Sequence, residues 1–244
     1  MRENEVKIDG QKRLLSKGIS IILLALAFVP VADAEIANHV VISEVYVNAF
    51  NDSGSEWIEL YNPTNSVINI SMWTIGTPTS SKDATIPTGV NISACGFYLI
   101  ADEGFSTKKD NSSWPNADHE ETITLGSSDS WVCLNDSSGT KIDLVGWGSN
   151  APKYEGTPFT PNPQKGKSLQ RRVNDTITEN GYGPAWDSNN NSADFFIQAE
   201  PNPQNRGAEA VPPVPELPSI ILLAFGLLML ATYIVLKRRD LKNR

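Results

Sequence analysis

The chain has 244 residues, 40% of them hydrophobic, and a formal net charge of −8 from 28 Asp and Glu against 20 Lys and Arg. Positive charge is concentrated at the two ends: residues 35–215 hold 22 Asp and Glu but ten Lys and Arg, a net of −12. Such an acidic body repels phosphate backbones, which excludes nucleic acid as a direct ligand and leaves proteins, glycans and cations as matching partners.

The chain opens with a basic stretch (Lys7, Lys12, Arg13, Lys17), an apolar run from Ile19 to Val29, and the small residues Ala32-Asp33-Ala34. This order predicts a secretory signal helix over residues 1–34, cleaved before Glu35; an uncleaved anchor is the alternative. Export makes a disulfide between Cys95 and Cys133 permissible, the alternative being two buried, reduced cysteines in facing strands. It also exposes seven Asn-x-Ser/Thr sequons to glycosylation, at Asn51, Asn69, Asn91, Asn111, Asn135, Asn174 and Asn190; Pro63 disqualifies Asn62.

Residues 35–200 are a single domain's worth of chain, patterned as short strands. Val40 to Val47 is rich in β-branched residues, and Glu56 to Tyr61 alternates charge with bulk, as a half-buried strand does. Further strands are expected over Val67–Ile75, Phe97–Ala101, Thr122–Leu125, Trp131–Leu134 and Lys141–Trp147, with breakers such as Asn62-Pro63-Thr64-Asn65 and Pro87-Thr88-Gly89 between them. Many short strands without a long amphipathic helix predict an all-β sandwich. Trp57, Trp73, Trp131 and Trp147 are assigned to its core, whereas Trp114 and Trp186 stand in polar, turn-rich surroundings where an exposed ring could stack on carbohydrate.

Catalytic patterns are absent: no Gly-x-Ser-x-Gly, no His-Glu-x-x-His and no phosphate-binding glycine loop occurs. His39 falls at the exposed start of the domain, and His119 in Asp118-His119-Glu120-Glu121 reads as a solvated loop. Glu44, Glu56 and Glu59 can approach across neighbouring strands, with salt bridging to Arg171 or Lys82 the expected use. Asp187 to Asp194 is an oxygen-rich loop. It lacks the EF-hand's Gly and places Gln198 where the bidentate Glu belongs, so a looser calcium site or a plain Asx-rich turn remains. The expectation is a non-enzymatic protein without a required cofactor.

Residues 201–218 read as a Pro-rich extended linker that ends in Val214-Pro215-Glu216-Leu217-Pro218, with Ser219 completing a motif at the start of the next segment. Residues 219–236 follow as an uncharged span, about 27 Å long as a helix and sufficient for a bilayer core. The basic tail, residues 237–244, belongs on the cytoplasmic side and puts the domain outside the cell. This arrangement resembles the PEF-CTERM tails of archaeal surface proteins, with Leu217 where that pattern usually has Phe. The resemblance implies recognition and processing by an archaeosortase-like transpeptidase; a plain type I anchor is the alternative.

The domain itself resembles lamin-tail domains in Ile42-Ser43-Glu44-Val45, Glu56 to Asn62, Ser71-Met72-Trp73-Thr74-Ile75 and Ile86 to Val90. The similarity continues through Gly96 to Ile100, Asp143 to Gly148, Gly166 to Arg171 and Gly183-Pro184-Ala185-Trp186; Pro201-Asn202-Pro203-Gln204-Asn205 departs from the closing pattern. The resemblance implies an immunoglobulin-like sandwich acting as an interaction or structural module, here displayed on a membrane and contacting an envelope protein or glycan. A cation-binding envelope component and a secreted hydrolase are the competing functions.

Overall fold

The computed structural model describes residues 36–51, 54–178, 181–215 and 219–242. The expected signal segment, its cleavage site at Ala32, Ala34 and Glu35, and Glu216, Leu217 and Pro218 of the tail motif lie outside the described residues. The chain divides into two units, one spanning Glu35–Glu216 and the other containing the C-terminal helix.

The larger unit is a β-sandwich, as the strand pattern predicts. Strands β1 (Val41–Tyr46), β2 (Trp57–Tyr61), β3 (Ile68–Asn69), β4 (Thr74–Gly76), β5 (Ala84–Thr85), β6 (Asn91–Ile92) and β7 (Phe97–Ala101) are followed by a short helix, α1 (Phe105–Lys108). Then come β8 (His119–Glu120), β9 (Ser130–Asn135), β10 (Lys141–Trp147), β11 (Ser168–Arg171), the single turn α2 (Asn191–Asp194) and β12 (Phe195–Gln198). One sheet has the order β12-β11-β1-β2-β7-β8, the other β10-β9-β4-β5, and β3 pairs with β6 as a ribbon. Ile42, Val45, Ile58, Leu60, Tyr98 and Ile100 of the larger sheet meet Ile75, Val132, Leu134, Val145 and Trp147 of the smaller in one apolar core.

Ile42 and Val45 are three apart yet share the core face, which period-two alternation forbids. A bulge between Ile42 and Glu44 absorbs the extra residue and resets the register against β2. The opposite face of the large sheet is also buried. Tyr46, Trp57 and Leu99 pack there against Phe105 and Trp114, and Val41, Tyr61 and Phe97 against Ala37 and Ala185. This corrects two expectations. β2 is buried along its whole length rather than half-buried, and Trp114 is 8% exposed, packed edge-on against Tyr46 and Trp57 instead of presenting a stacking platform.

Two strand predictions fail locally. Val67–Ile75 is broken at Met72, whose φ of 62° turns the chain between β3 and β4. Thr122–Leu125 forms no strand; its neighbour His119–Glu120 does, pairing parallel with β7, so the expected solvated loop is a sheet edge.

The segment expected to act as a linker is extended but not free. Gln204 N donates to Glu59 Oε2 (2.6 Å), Arg206 N to Asp118 Oδ2 (2.9 Å) and Val211 N to Cys95 O (2.9 Å). Tyr61 Oη donates to Val211 O (2.5 Å), Trp114 Nε1 to Pro201 O (3.1 Å) and Gly183 N to Pro212 O (2.9 Å). Residues 201–212 are thus a strap along the outer face of the large sheet. Proline fits because an extended strap needs few of its own N–H groups in a ladder.

The second unit's helix, α3 (Ser219–Lys242), begins where the span was expected but continues past Lys237, Arg238 and Arg239. Its apolar residues are spread around the axis rather than confined to one stripe, and Phe225, Leu227, Leu228, Met229, Tyr233 and Leu236 are exposed. Among the described residues, no helix is long and apolar enough to cross a membrane.

Candidate functional site

The densest collection of charge is a buried hub where β11 meets β1. The β1–β11 ladder pairs Glu44 with Gln170 and Val45 with Leu169. Beyond it, side chains replace strand partners at Ile42: Arg171 Nε donates to Ile42 O (2.9 Å) and Ile42 N donates to Asp143 Oδ2 (2.6 Å). Arg171 Nη2 closes the triangle on the same Asp143 oxygen at 2.7 Å, with both side chains at zero exposure. Arg171 Nη1 donates to Trp186 O (2.7 Å) and lies 3.4 Å from Asp187, while the guanidinium sits 4.6 Å from the Phe195 ring centroid.

A second layer surrounds this pair. His39 Nε2 stands 3.4 Å from Asp187, and Lys141 Nζ donates to Glu155 Oε1 at 2.5 Å. Asn191 Oδ1 accepts from Gly146 N and Glu155 N, and its Nδ2 donates to Leu144 O, so one buried amide fastens α2 to β10. Asp194 Oδ1 accepts from Ser188 N and Ser188 Oγ, and Oδ2 from Asn190 N. The Asp187–Asp194 loop therefore turns its carboxylates inward, towards its own backbone and Arg171.

Burial alone would neutralise these groups; their partners decide otherwise. For Asp187, burial opposes ionisation, but the hydrogen bond with His39 and the charge of Arg171 outweigh it and hold the carboxyl well below the usual range. His39 is correspondingly raised by its bond to Asp187. Arg171 is raised because Asp143, Asp187 and Asp194 overcome its burial. Glu155 goes the other way: burial and the nearby charge of Asp143 raise it despite Lys141, whose own affinity for its proton the pair increases.

Asp143, Glu155 and Asp187 each offer an oxygen within 4.8 Å of the others, a spacing a cation could bridge. The guanidinium of Arg171 already lies between two of them and Lys141 holds the third, so positive charge is supplied by the chain itself. Asp143, Glu155 and Asn191 are hub residues the sequence reading missed. The available signal was a charged residue inside the apolar run Ile142-Asp143-Leu144-Val145, which calls for a buried partner.

Other candidates are dispersed. Glu44 and Glu59 do face each other across β1 and β2, both 1% exposed, but Arg171 serves Asp143 rather than this pair and Lys82 is exposed. Glu59 Oε1 accepts from Ser43 Oγ (2.6 Å), Glu44 Oε1 accepts from Ser168 Oγ, and burial pushes the Glu59 carboxyl up to about 8. His119 Nε2 lies 3.0 Å from Glu121 Oε2, which also accepts Thr85 N and so ties β8 to β5 across the sandwich. An open cleft of about 350 Å³ lies between Val47, Glu56, Asp102, Ile123 and Leu125; Asp102 Oδ1 accepts backbone N–H groups of Glu103 and Ile123.

Cys95 and Cys133, which the sequence leaves open between a bridge and two reduced thiols, are free thiols here. Cys95 occupies a turn with φ 53° against Thr64 O, and Cys133 sits in β9 beside Asn135. The sequon asparagines fall on the ribbon (Asn69, Asn91), in exposed turns (Asn111, Asn174, and Asn51 beside residues not described), at the end of β9 (Asn135) and against α2 (Asn190). Val214 and Pro215 are extended, and Ser219 is the first residue of α3.

The Lamin Tail Domain family model matches residues 34–149, which takes in β1 through β10. The match supports the lamin-tail reading of those strands, while β11, β12 and the strap lie beyond it. No curated protein matches the chain.

Proposed function

We propose that this chain is an exported surface protein whose immunoglobulin-like, lamin-tail-type sandwich is a non-enzymatic interaction or structural module. In this reading α3 holds the module at the cell membrane, with the ectodomain outside and the C-terminus cytoplasmic before processing by an archaeosortase-like transpeptidase. The lamin-tail match over residues 34–149 carries the module assignment. Reactive side chains support it by their use: Asp143, Arg171, Asp187, Glu121 and Glu59 are engaged in bonds that join strands, and a structural bond is the commonest fate of a buried charge. The acidic body points to a protein or glycan of the envelope as partner rather than nucleic acid. Anchoring is supported by the uncharged run Ile220 to Leu236 within α3, a pattern that suits a non-aqueous environment, and by Lys237, Arg238 and Arg239 directly after that run.

Intact mass and terminal peptides of the protein from native envelopes test the reading. A species starting at Glu35 and ending before α3 is expected. A species that keeps Lys237–Arg244 makes the tail a plain anchor, and one that keeps Met1 removes cleavage of the signal.

The carboxylate spacing at Asp143, Glu155 and Asp187 favours a second reading, a calcium-binding envelope component. A calcium titration separates the two. With Arg171 and Lys141 in place the module reading expects no change in melting temperature, and a rise saturating with calcium favours the second.

A further inference from the structure

The seven sequons are equivalent as sequence but not as structure. Asn190 is half-buried; its Oδ1 accepts from Thr157 N (3.1 Å) and Ser192 Oγ (3.0 Å), and its sequon's middle residue is the fully buried Asn191 that fastens α2 to β10. Asn135 is the last residue of β9, paired with Lys141 on one side and Thr74 on the other. Any enzyme that must wrap an extended peptide around either asparagine would first have to dismantle the fold. Asn69 and Asn91 stand directly opposite each other in the β3–β6 ribbon, and each is followed by a fully buried isoleucine. Asn51 donates its amide to Lys108 O (3.0 Å).

Asn111 and Asn174 lie in turns outside every strand, Asn111 exposed and Asn174 half-buried. Asn111-Ser112-Ser113 is exposed throughout and outside any strand, with Asn111 Oδ1 accepting from Ser113 N (2.9 Å) and Ser113 Oγ (2.7 Å). In Asn174-Asp175-Thr176 the last two residues are exposed, and Asn174 Oδ1 accepts from Ile177 N (2.7 Å), Thr176 N (3.0 Å) and Thr176 Oγ1 (3.2 Å). At both, as at Asn190, the sequon's own hydroxyl is gathered onto the amide oxygen; unlike Asn190, each has an exposed middle residue, Ser112 or Asp175, and among the described residues Nδ2 has no acceptor. These two turns offer the reacting nitrogen to solvent at no cost to a ladder or core.

We propose that Asn111 and Asn174 are the sequons modified on the folded protein, each taking an N-linked glycan, while Asn135 and Asn190 remain bare. The assignment rests on the export reading above. The co-reactant is a lipid-phosphate-linked oligosaccharide: Nδ2 bonds to the sugar's anomeric carbon, the sugar–phosphate C–O bond breaks, the lipid phosphate leaves with the electron pair, and Nδ2 loses one proton.

Site-resolved glycopeptide mass spectrometry of the protein from native envelopes tests it, together with the purified full chain in detergent, folded and then offered to an oligosaccharyltransferase and its lipid-linked donor. Sugar on the Asn111 and Asn174 peptides is expected in both, with Asn111→Gln and Asn174→Gln each removing one glycan mass. A native protein that starts at Glu35 but has bare Asn111 and Asn174 overturns the assignment and leaves export intact, as does sugar at Asn135 or Asn190. A native protein that fractionates with the cytosol, keeps Met1 and is bare throughout overturns the export reading. The reconstituted reaction then decides the site assignment alone, and bare Asn111 and Asn174 there overturn it.

Discussion

At the scale of single residues, Arg171 and Glu59 are the two buried charges whose removal is most informative. Arg171→Met leaves the Asp143 carboxylate at zero exposure without its counter-ion. Removing one partner of a buried pair costs about 3–5 kcal/mol, so the urea midpoint of the variant should fall sharply; a drop below about 1 kcal/mol would show that water or relaxation replaces the guanidinium. Glu59 acts through pH. Its folded carboxyl, pushed by burial to about 8 from 4.5, holds its proton more tightly than the unfolded chain does. Its stabilising contribution is therefore present below pH 4.5 and lost as the pH rises through about 8. Glu59→Gln mimics the protonated acid, because its amide oxygen can accept Gln204 N–H while its NH₂ donates to Ser43 Oγ. Urea midpoints from pH 4 to 9 should decline more steeply in the parent than in the variant. His39, raised by Asp187, adds a decline common to both proteins, so their difference isolates Glu59. Neither residue's part was legible from local sequence. Arg171 was placed beside Glu44, Glu56 and Glu59 because their strands adjoin, but the end of the β1–β11 ladder at Ile42 directs it to Asp143, and only the assembled topology shows where that ladder ends.

At the scale of elements, the strap is the feature to perturb. A Cβ at Gly183 would fall 2.0 Å from Tyr61 Oη and 2.6 Å from Val211 O, so Gly183→Ala must push the strap or the tyrosine aside. Limited proteolysis should then cut within residues 207–215 faster than in the parent, with little change in the core; equal protection would mean the strap is held mainly from Gln204 to Arg206. Tyr61→Phe is the milder counterpart, losing one hydrogen bond worth about 1 kcal/mol. β7 matches its expected bounds because an unbroken apolar run marks it, and β10 does so because turn residues bracket it although Asp143 interrupts its apolar run. β2 has the alternation of a half-exposed strand and is nonetheless buried, since Trp57, Glu59 and Tyr61 are covered by segments 48 and more than 140 residues downstream, Phe105 and Trp114 among them. Local periodicity reports which way a side chain points; whether something later in the chain covers that side is a long-range fact. The strap's prolines correctly announced extension, and their docking depends on the same distant partners.

At the scale of the whole molecule, the acidic body and α3 belong to separate units, and the anchoring proposal assigns them separate roles. Deleting Ser219–Arg244 should release a folded ectodomain into the soluble fraction with an unchanged thermal transition; retention in the membrane pellet would sink the anchoring proposal. The expected end-to-end organisation rests on charge segregation and the terminal apolar runs alone; of it the structure describes the sandwich unit and α3. The strap adds something that organisation does not mention. Pulling on α3 would load the ectodomain from its C-terminal side, through Pro212 and Val211 first, then Arg206, Asn205 and Gln204, and only afterwards β12. Bonds recruited one after another yield at lower tension than bonds loaded together. The strap would peel before the sandwich lost a strand, freeing twelve residues whose fully extended reach is about 40 Å, so that under the anchoring proposal the ectodomain would yield stepwise at its C-terminal side before its sheets did.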